Sequence, residues 1–295
     1  MNLLVFIVDI QASAKATIKY LQTQETQLSR FDDFAVLGNG LVVDSLGSEH
    51  THYLLWADGE EEAVLNVQGI LAEVFIPPIA SSKVQPLSKA YQSMKIVSLD
   101  DDKQFTGALR AIDNIRVFMS RHFTPMDKAV HSNTVGDMQA IRTENRLLSP
   151  AFFCSERRLE PPKEIDAGGA LKAITREGDH IYTEDNVVIF HEWTKDEADN
   201  IVATSTHPGT LRAGDLVNMG VSFRIVHYSG KGRIQVRLDS VAVIDRRCGD
   251  IKPVAVGEDQ ERVRDGRVPK KRRLELPAVP AANEPNVAGE EMQDA

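Results

Sequence analysis

The sequence predicts an α+β protein, in which a mixed N-terminal region of helix and strand precedes a small antiparallel β-barrel-like domain and a disordered tail. An OB-like barrel is one form that this predicted domain can take. Apolar residues recur at helical spacing over 12–31 and 105–119, whereas alternation of apolar and polar residues dominates 216–245. After residue 249 no period remains, and Pro, Glu, Ala, Asn and Gly prevail. The expected parts are an α+β region, an irregular connection, the β domain and the tail, at 1–123, 124–170, 171–248 and 249–295.

Three segments of the N-terminal region predict regular structure. Apolar residues 3–8 indicate a buried first strand. The spacing of apolar residues over 12–31 predicts a helix with one narrow apolar face. Beyond it, β-prone runs on both sides of Gly38-Asn39-Gly40 predict a hairpin or tight bend, Asp58-Gly59 predicts a second turn, and 70–76 is a further candidate strand.

The clearest helix is predicted to begin after Asp100 to Asp102, whose carboxylates can cap it and favour the positive end of its dipole. Arg121 and His122 fall in its last turn, where cations are favourable. One stripe at helical spacing predicts a face in the core, and it comprises Phe105, Leu109, Ile112, Ile115 and Met119.

Strict alternation then predicts two long strands joined by the turn at 229–232. In the second strand the alternation slips by one residue near Asp239-Ser240 without losing strand character, which indicates a β-bulge. In the first strand the predicted inward residues are Val217, Met219, Val221, Phe223 and Ile225. The predicted outward residues are Asn218, Gly220, Ser222 and Arg224.

Composition limits the classes of function. The 295 residues are 42% hydrophobic and carry a formal net charge of −9, which argues against a protein that binds polyanions over its whole surface. Two cysteines, Cys154 and Cys248, form no CxxC pair, so we expect neither a disulfide framework nor a thiolate zinc site. No apolar run approaches the ~20 residues of a membrane span. We therefore expect an intracellular protein outside any membrane.

Sequence motifs for catalysis are sparse. His50 and His52 could place two imidazoles on one strand face, but further metal ligands at suitable spacing are lacking. Arginines follow Cys154 at three and four residues and could lower the pKa of its thiol, although a buried apolar cysteine is the commoner outcome. No GxSxG, GxGxxG or GxxxxGK[ST] motif occurs. We therefore expect no metal and no cofactor, and an enzyme with a site invisible as a local motif remains the alternative.

Positive charge is concentrated in the second half of the predicted β domain. Residues 212–248 contain seven basic and three acidic residues, a local excess of four positive charges. A small barrel with a basic face can bind a single nucleic-acid strand when aromatic side chains are present to stack on bases. The candidate contacts are Arg224, Arg237, Lys231, Arg233 and Tyr228. The polar outer face of an antiparallel sheet, or a site for a protein partner, would use the same residues.

Residues 211–245 resemble a segment of uncharacterised proteins from mushroom-forming (basidiomycete) fungi. Those proteins share (K/R)xGDxVxxxxSF, a glycine-containing turn and a strand ending Sxxx(I/L)D. The resemblance implies no activity, and with the apolar start at Met1 it leaves open a degenerate mobile-element product. The matching residues are Arg212, Gly214, Asp215, Val217, Ser222, Phe223, Gly230, Ser240 and Asp245.

A basic cluster lies in the tail. Residues 262–273 contain seven basic residues against one acidic residue, and Pro269 favours an extended backbone before the run. Such runs are typical of nuclear import signals. A segment that contacts polyanions, or a tail without a function, would show the same run of basic residues. The predicted signal is Lys270, Lys271, Arg272 and Arg273. The sequence thus predicts a non-catalytic binding or scaffolding protein of the nucleus, with the cytoplasm as the alternative and an import receptor as a partner.

Overall fold

The computed structural model describes residues 12–46, 51–58, 61–78, 88, 90–99, 102–123, 126, 134–154, 156–195, 201–228 and 230–246. The predicted first strand at 3–8, His50, Cys248, the tail at 249–295 and the basic residues Lys270 to Arg273 lie outside the described residues. No helix in the described ranges is long and apolar enough to cross a membrane.

The described residues form four α-helices and twelve strands. The helices are α1 (Ala12–Leu21), α2 (Phe34–Gly40), α3 (Lys103–Ser120) and α4 (Ala170–Glu177). Short 3-10 turns lie at Leu28–Asp32, Ala151–Phe153, Glu184–Asn186 and Pro208–Thr210. The strands are β1 (Leu41–Asp44), β2 (Thr51–Trp56), β3 (Leu65–Phe75), β4 (Tyr91–Val97), β5 (Thr134–Val135), β6 (Met138–Arg146), β7 (Ser149–Pro150), β8 (His180–Ile181), β9 (Ile189–Lys195), β10 (Ile201–Ser205), β11 (Leu216–Tyr228) and β12 (Lys231–Asp245).

Five of these strands close into a barrel. Strand β3 pairs antiparallel with β4, and β4 pairs antiparallel with β6. Strand β6 then meets β12 in parallel, β12 pairs antiparallel with β11, and β11 returns antiparallel to β3. When β3, β4, β6, β11 and β12 are numbered 1 to 5 along the chain, neighbouring strands around the barrel follow the order 1-2-3-5-4-1. The contact between strands 3 and 5 is parallel, and the others are antiparallel. This is the strand arrangement of the OB fold.

The barrel extends across the predicted domain boundary. Its strands β3, β4 and β6 come from the first half of the chain, and only β11 and β12 come from 171–248. Strands β1 and β2 add to one edge of β11, while β9 and β10 add to β12. The α+β class and the barrel are confirmed. The expectation of a barrel built from 171–248 alone needs correction, because alternation within a segment does not reveal which distant strand it pairs with.

Helix α3 forms as predicted. The Asp102 side chain accepts a hydrogen bond from the backbone N–H of Gln104 at 2.8 Å, which satisfies one of the free donors at the helix start. Its core face packs against the 3-10 turn Leu28–Asp32. Phe105, Ala108, Ala111, Ile115 and Met119 are buried on that face, whereas the predicted Leu109 and Ile112 are only half-buried.

Two N-terminal predictions are wrong. The helix expected over 12–31 ends at Leu21, and the turn Leu28–Asp32 follows as a separate element. The segment around Gly38-Asn39-Gly40 is the end of helix α2 rather than a hairpin. The Asp33 carboxylate accepts a hydrogen bond from the Ala35 N–H at 2.7 Å and starts this helix, so a local cap outweighs the turn propensity of the glycines.

The predicted bulge in β12 is confirmed. Gly220 is opposite Ser240, but the next residue, Val221, is opposite Leu238, so Asp239 is the extra residue. Both faces of β11 are buried. The predicted outward residues Asn218 and Ser222 are 2% and 0% exposed, because other segments cover that face as well.

Candidate nucleic-acid interface

The outer surface of β4 and β6 presents an aromatic side chain and three cations. On these strands the alternate residues Met94, Ile96 and Ile141 lie in the hydrophobic core. The intervening residues are half-buried and face away from it, and cross-strand partners are in register along the two strands. We call this surface the β4–β6 face, and it comprises Tyr91, Ser93, Lys95, Arg142, Glu144 and Arg146.

Tyr91 and Arg146 form a cation–π pair on this face. They are direct cross-strand partners, and the guanidinium carbon of Arg146 lies 5.3 Å from the centre of the Tyr91 ring. A flat π system beside a cation combines the two elements that bind a single strand, since bases stack on aromatic rings and phosphates are attracted by positive charge.

Acidic neighbours moderate the charge of the β4–β6 face. Lys95 Nζ lies 2.9 Å from a carboxylate oxygen of Glu73 on β3. Arg142 Nη2 lies 3.6 Å from Glu144 Oε2, and the Arg142 side chain is 38% exposed. The three cations therefore exceed the two nearby carboxylates by one charge. A small excess of this kind suits local contact with a nucleic-acid backbone rather than tight wrapping of a nucleic acid around the protein.

The β11–β12 hairpin carries two of the sequence-predicted contacts. Lys231 is exposed and Arg233 is half-buried at the start of β12. In an OB barrel the loop between the fourth and fifth strands flanks the binding face, and here that loop is this hairpin. Met126 forms a β-bridge with Gly232, and a Cβ at Gly232 would clash with the Phe123 ring, so Phe123 and Met126 pack tightly on the hairpin.

Arg224 and Arg237 do not occupy the exposed position that alternation predicted. They are 7% and 2% exposed. Both guanidinium groups bind Asp185, with Arg224 Nη2 and Arg237 Nη1 each 2.8 Å from its Oδ1. Buried in this way, Arg224 and Arg237 are not among the residues that a nucleic acid could contact at the surface.

Two further carboxylates complete the group. Arg224 Nε donates to Glu62 Oε1 at 3.0 Å, and Arg237 Nε donates to Asp239 Oδ1 at 2.8 Å. Arg237 and Asp239 are two residues apart on β12, and residues at that spacing project to the same side of a strand, which explains the second contact. We call Arg224, Arg237, Glu62, Asp185 and Asp239 the buried ion cluster.

The pKa values reflect this burial. Burial alone would lower the pKa of Arg224, but attraction by Asp185 and Glu62 outweighs it, so the pKa is raised and the guanidinium stays charged. At the margin of the cluster, burial and then repulsion by Asp185 raise the pKa of Glu156 to about 7. Burial also raises the pKa of Tyr53, whose ring centre lies 5.0 Å from the Arg224 guanidinium carbon.

A narrow cleft joins the two groups of arginines. Its volume is about 40 Å³, and it is lined by Arg146 of the β4–β6 face together with Asp185, Arg224 and Arg237 of the buried ion cluster. A hollow of this size holds one or two water molecules rather than a base. A strand bound on the β4–β6 face would therefore lie over this cleft and not within it.

The other candidates from the sequence have ordinary surroundings. His52 packs edge-on against Phe123 with ring centres 5.6 Å apart, and burial lowers its pKa. No group of three or more potential metal-ligating side chains occurs within the described ranges. Cys154 is half-buried after the turn Ala151–Phe153. Of Tyr228 the structure gives only the backbone, at the end of β11.

Sequence reasoning missed the β4–β6 face. Its residues lie in segments that showed no clear pattern, one in the polar stretch after Pro77-Pro78 and one within the predicted connection at 124–170. A weak signal was present around Met94 and Ile96, which alternate with polar residues, whereas Ala140 and Ile141 are followed by five polar residues without alternation.

Comparison with known proteins gives only distant similarities. No family model matches the chain, and no curated protein matches it. The single-stranded DNA-binding protein from bacteriophage Enc34 in complex with ssDNA is 11% identical, and the match covers 68% of this chain and 92% of that one with a TM-score of 0.35. The single-stranded DNA-binding protein gp2.5 encoded by bacteriophage T7 is 10% identical, with coverage of 67% and 99% and a TM-score of 0.33.

Proposed function

We propose that this protein binds single-stranded nucleic acid without catalysis, along the β4–β6 face. The observation that carries the proposal is the Tyr91–Arg146 pair, which lies on the outer surface of the second and third strands of a closed barrel with OB strand order. That surface is where OB barrels bind oligonucleotides.

The chemistry of the face favours a single strand over a duplex. Stacking on Tyr91 requires a base whose flat surface is accessible, and in a duplex those surfaces are stacked on neighbouring pairs. Lys95, Arg142 and Arg146 can neutralise phosphates, while Lys231 and Arg233 lie on the β11–β12 hairpin, which corresponds to the loop between the fourth and fifth strands that contributes to oligonucleotide binding in OB barrels. Because the whole chain has a net charge of −9, binding is confined to this local surface and weakens with added salt.

Fluorescence anisotropy with the full chain tests the proposal. A labelled single strand should bind at low salt, and the matching duplex should bind more weakly. Tyr91→Ala should weaken binding of the single strand by about 5–150-fold, the effect of losing one stacked base. Phe34→Ala is the matched control, because Phe34 is an aromatic residue 41% exposed on α2, outside the face. If the folded wild-type protein does not bind at low salt, the proposal is wrong.

We also propose that the protein works in the nucleus, where Lys270 to Arg273 bind an import receptor. The support is the density of charge, seven basic residues against one acidic residue in 262–273. The full chain carrying a fluorescent reporter should accumulate in nuclei, and replacing the four basic residues with alanine should spread it through the cell. A reporter distributed equally with and without the substitutions would contradict nuclear import. Three further readings of the sequence stay predictions. They are a scaffold for a protein partner, an enzyme whose active site forms no local motif, and a degenerate product of a mobile element.

A further inference from the structure

Phe75, the last residue of strand β3, projects away from the hydrophobic core. Its neighbours along the chain, Val74 and Ile76, both pack against that core. Successive residues of a strand project to opposite sides, so the Phe75 ring lies on the outer side of the barrel. The residue is half-buried there, so part of it reaches solvent.

Cross-strand pairing places Phe75 on the same side of the sheet as the β4–β6 face. Phe75 is directly opposite Ser93 of β4, and Ser93 is in turn opposite Glu144 of β6. Opposite residues of an antiparallel pair project to the same side. One pair further along β3 and β4, Lys95 Nζ lies 2.9 Å from a carboxylate oxygen of Glu73, as this arrangement requires. The β4–β6 face therefore continues onto β3.

The two rings of this extended surface lie on adjacent strands. Tyr91 and Lys95 flank Ser93 on β4, so both are diagonal neighbours of Phe75. Diagonal neighbours in an antiparallel pair are about 7–8 Å apart, within reach of aromatic and long side chains. Each ring also has a cation close to it, since Arg146 lies against Tyr91 and Lys95 is diagonal to Phe75.

We infer that Phe75 is a second base-stacking residue of the single-strand site, so that the site takes two neighbouring bases, one on Tyr91 and the next on Phe75. This inference rests on the proposed function. The bound nucleic acid then runs from β6 across β4 to β3 and does not follow the direction of the strands. Because every base has a flat surface, stacking on two rings adds affinity without selecting a sequence.

Substitution of Phe75 tests the inference in the full chain by fluorescence anisotropy. Phe75→Leu should weaken binding of a single strand by about 5-fold or more, because leucine is apolar but has no ring on which a base can stack. An oligonucleotide of about 4 nucleotides should already show the loss, since the two rings lie on adjacent strands. Phe34→Leu is the matched control, because Phe34 is 41% exposed on α2, outside the face.

A second variant separates stacking from support of the fold. Phe75→Trp keeps a flat ring and should bind like the wild type. The emission of its indole, after subtraction of the wild-type signal from Trp56 and Trp193, should be quenched by the bound oligonucleotide. A ring that only supports the fold would not be quenched, so this measurement decides the question even if Phe75→Leu unfolds.

The outcomes distinguish this inference from the proposed function. If the wild type binds and Tyr91→Ala weakens binding, but a folded Phe75→Leu binds as tightly as the wild type, only the role of Phe75 is wrong. An unquenched indole in a Phe75→Trp protein that binds the oligonucleotide also excludes stacking at this residue. If the folded wild type binds no single strand at low salt, the proposed function itself is wrong.

Discussion

Two pairs of arginines on the same side of the barrel sheet have opposite surroundings. Arg142 and Arg146 lie on the β4–β6 face and are half-buried. Arg224 and Arg237 belong to the buried ion cluster. In the β-ladders Arg237 is opposite both Glu144 and Ser222, so all four arginines project to the same side of the sheet. The side on which a residue projects therefore does not determine whether solvent reaches it.

The difference arises from the turn Glu184–Asn186. Its Asp185 carboxylate binds both buried guanidinium groups. The turn is held in place by two side chains of the barrel, since Gln92 donates to the Asn186 carbonyl at 2.8 Å and Asn145 donates to the Asp185 carbonyl at 3.0 Å. A segment far away in sequence thus covers one pair of arginines, while the other pair stays at the surface.

Substitutions in the two pairs of arginines should have different consequences. Arginines of the buried ion cluster stabilise the fold and cannot exchange their carboxylate partners for phosphates without moving the covering turn. Arginines of the β4–β6 face contribute little to stability, because exposed charge pairs are weak. Three substitutions test this division.

The largest effect is expected for Arg237→Met. Removing this guanidinium leaves Asp239, which is 0% exposed, without its 2.8 Å partner, and breaking a buried pair costs about 3–5 kcal/mol. Urea denaturation measures the loss in the free energy of unfolding. Arg110→Met is the control, because its pair with Asp32 has side chains 63% and 34% exposed and should contribute about 1 kcal/mol or less. Equal losses in the two variants would show that the cluster does not stabilise the fold.

An intermediate effect is expected for Glu156→Gln. The pKa of Glu156 is about 7 in the folded protein against an ordinary value of 4.5, so between these values the folded state binds more protons than the unfolded state. The free energy of unfolding of the wild type should therefore fall as pH rises from about 4.5 to about 7. Glutamine keeps the hydrogen-bond acceptor without the charge. It should remove this fall and stabilise the protein by about 1 kcal/mol above pH 7, after allowance for partial exposure.

The control for the pH experiment is the exposed Glu160, whose pKa is lowered by its hydrogen bond with Lys172. Glu160→Gln should leave the fall between about pH 4.5 and 7 in place. A fall that persists in Glu156→Gln with the same size would assign the titration to another group.

The smallest effect is expected for Arg142→Gln on the β4–β6 face. Each phosphate neutralised in a single strand contributes about −0.7 to the slope of log K against log salt. Losing this cation should make the slope less steep by about 0.7, with little change in unfolding. Lys19→Gln on the exposed side of α1 should leave the slope unchanged. A slope that does not change in Arg142→Gln would remove this residue from the contact surface.

Local sequence signals predicted only part of this molecule. The capped helix α3 and the bulge at Asp239 follow from periodicity and capping, which depend on residues within a few positions of one another. The hairpin tip with Lys231 and Arg233 was predicted for the same reason. Arg224 and Arg237 were assigned correctly to the non-core side of their strands, but alternation contains no information about a segment that covers that side.

The sequence by itself determined the α+β class, the long β11–β12 hairpin and the scarcity of metal and nucleotide-phosphate motifs. Only the tertiary structure decided which strands close the barrel and which arginines reach solvent. The physical reason is distance along the chain. The Gln68 side chain donates to Asn218 across 150 positions, and Arg224 binds Glu62 across 162. Such contacts depend on the packing of the whole chain, whereas helices, turns and bulges are set by the backbone geometry of near neighbours.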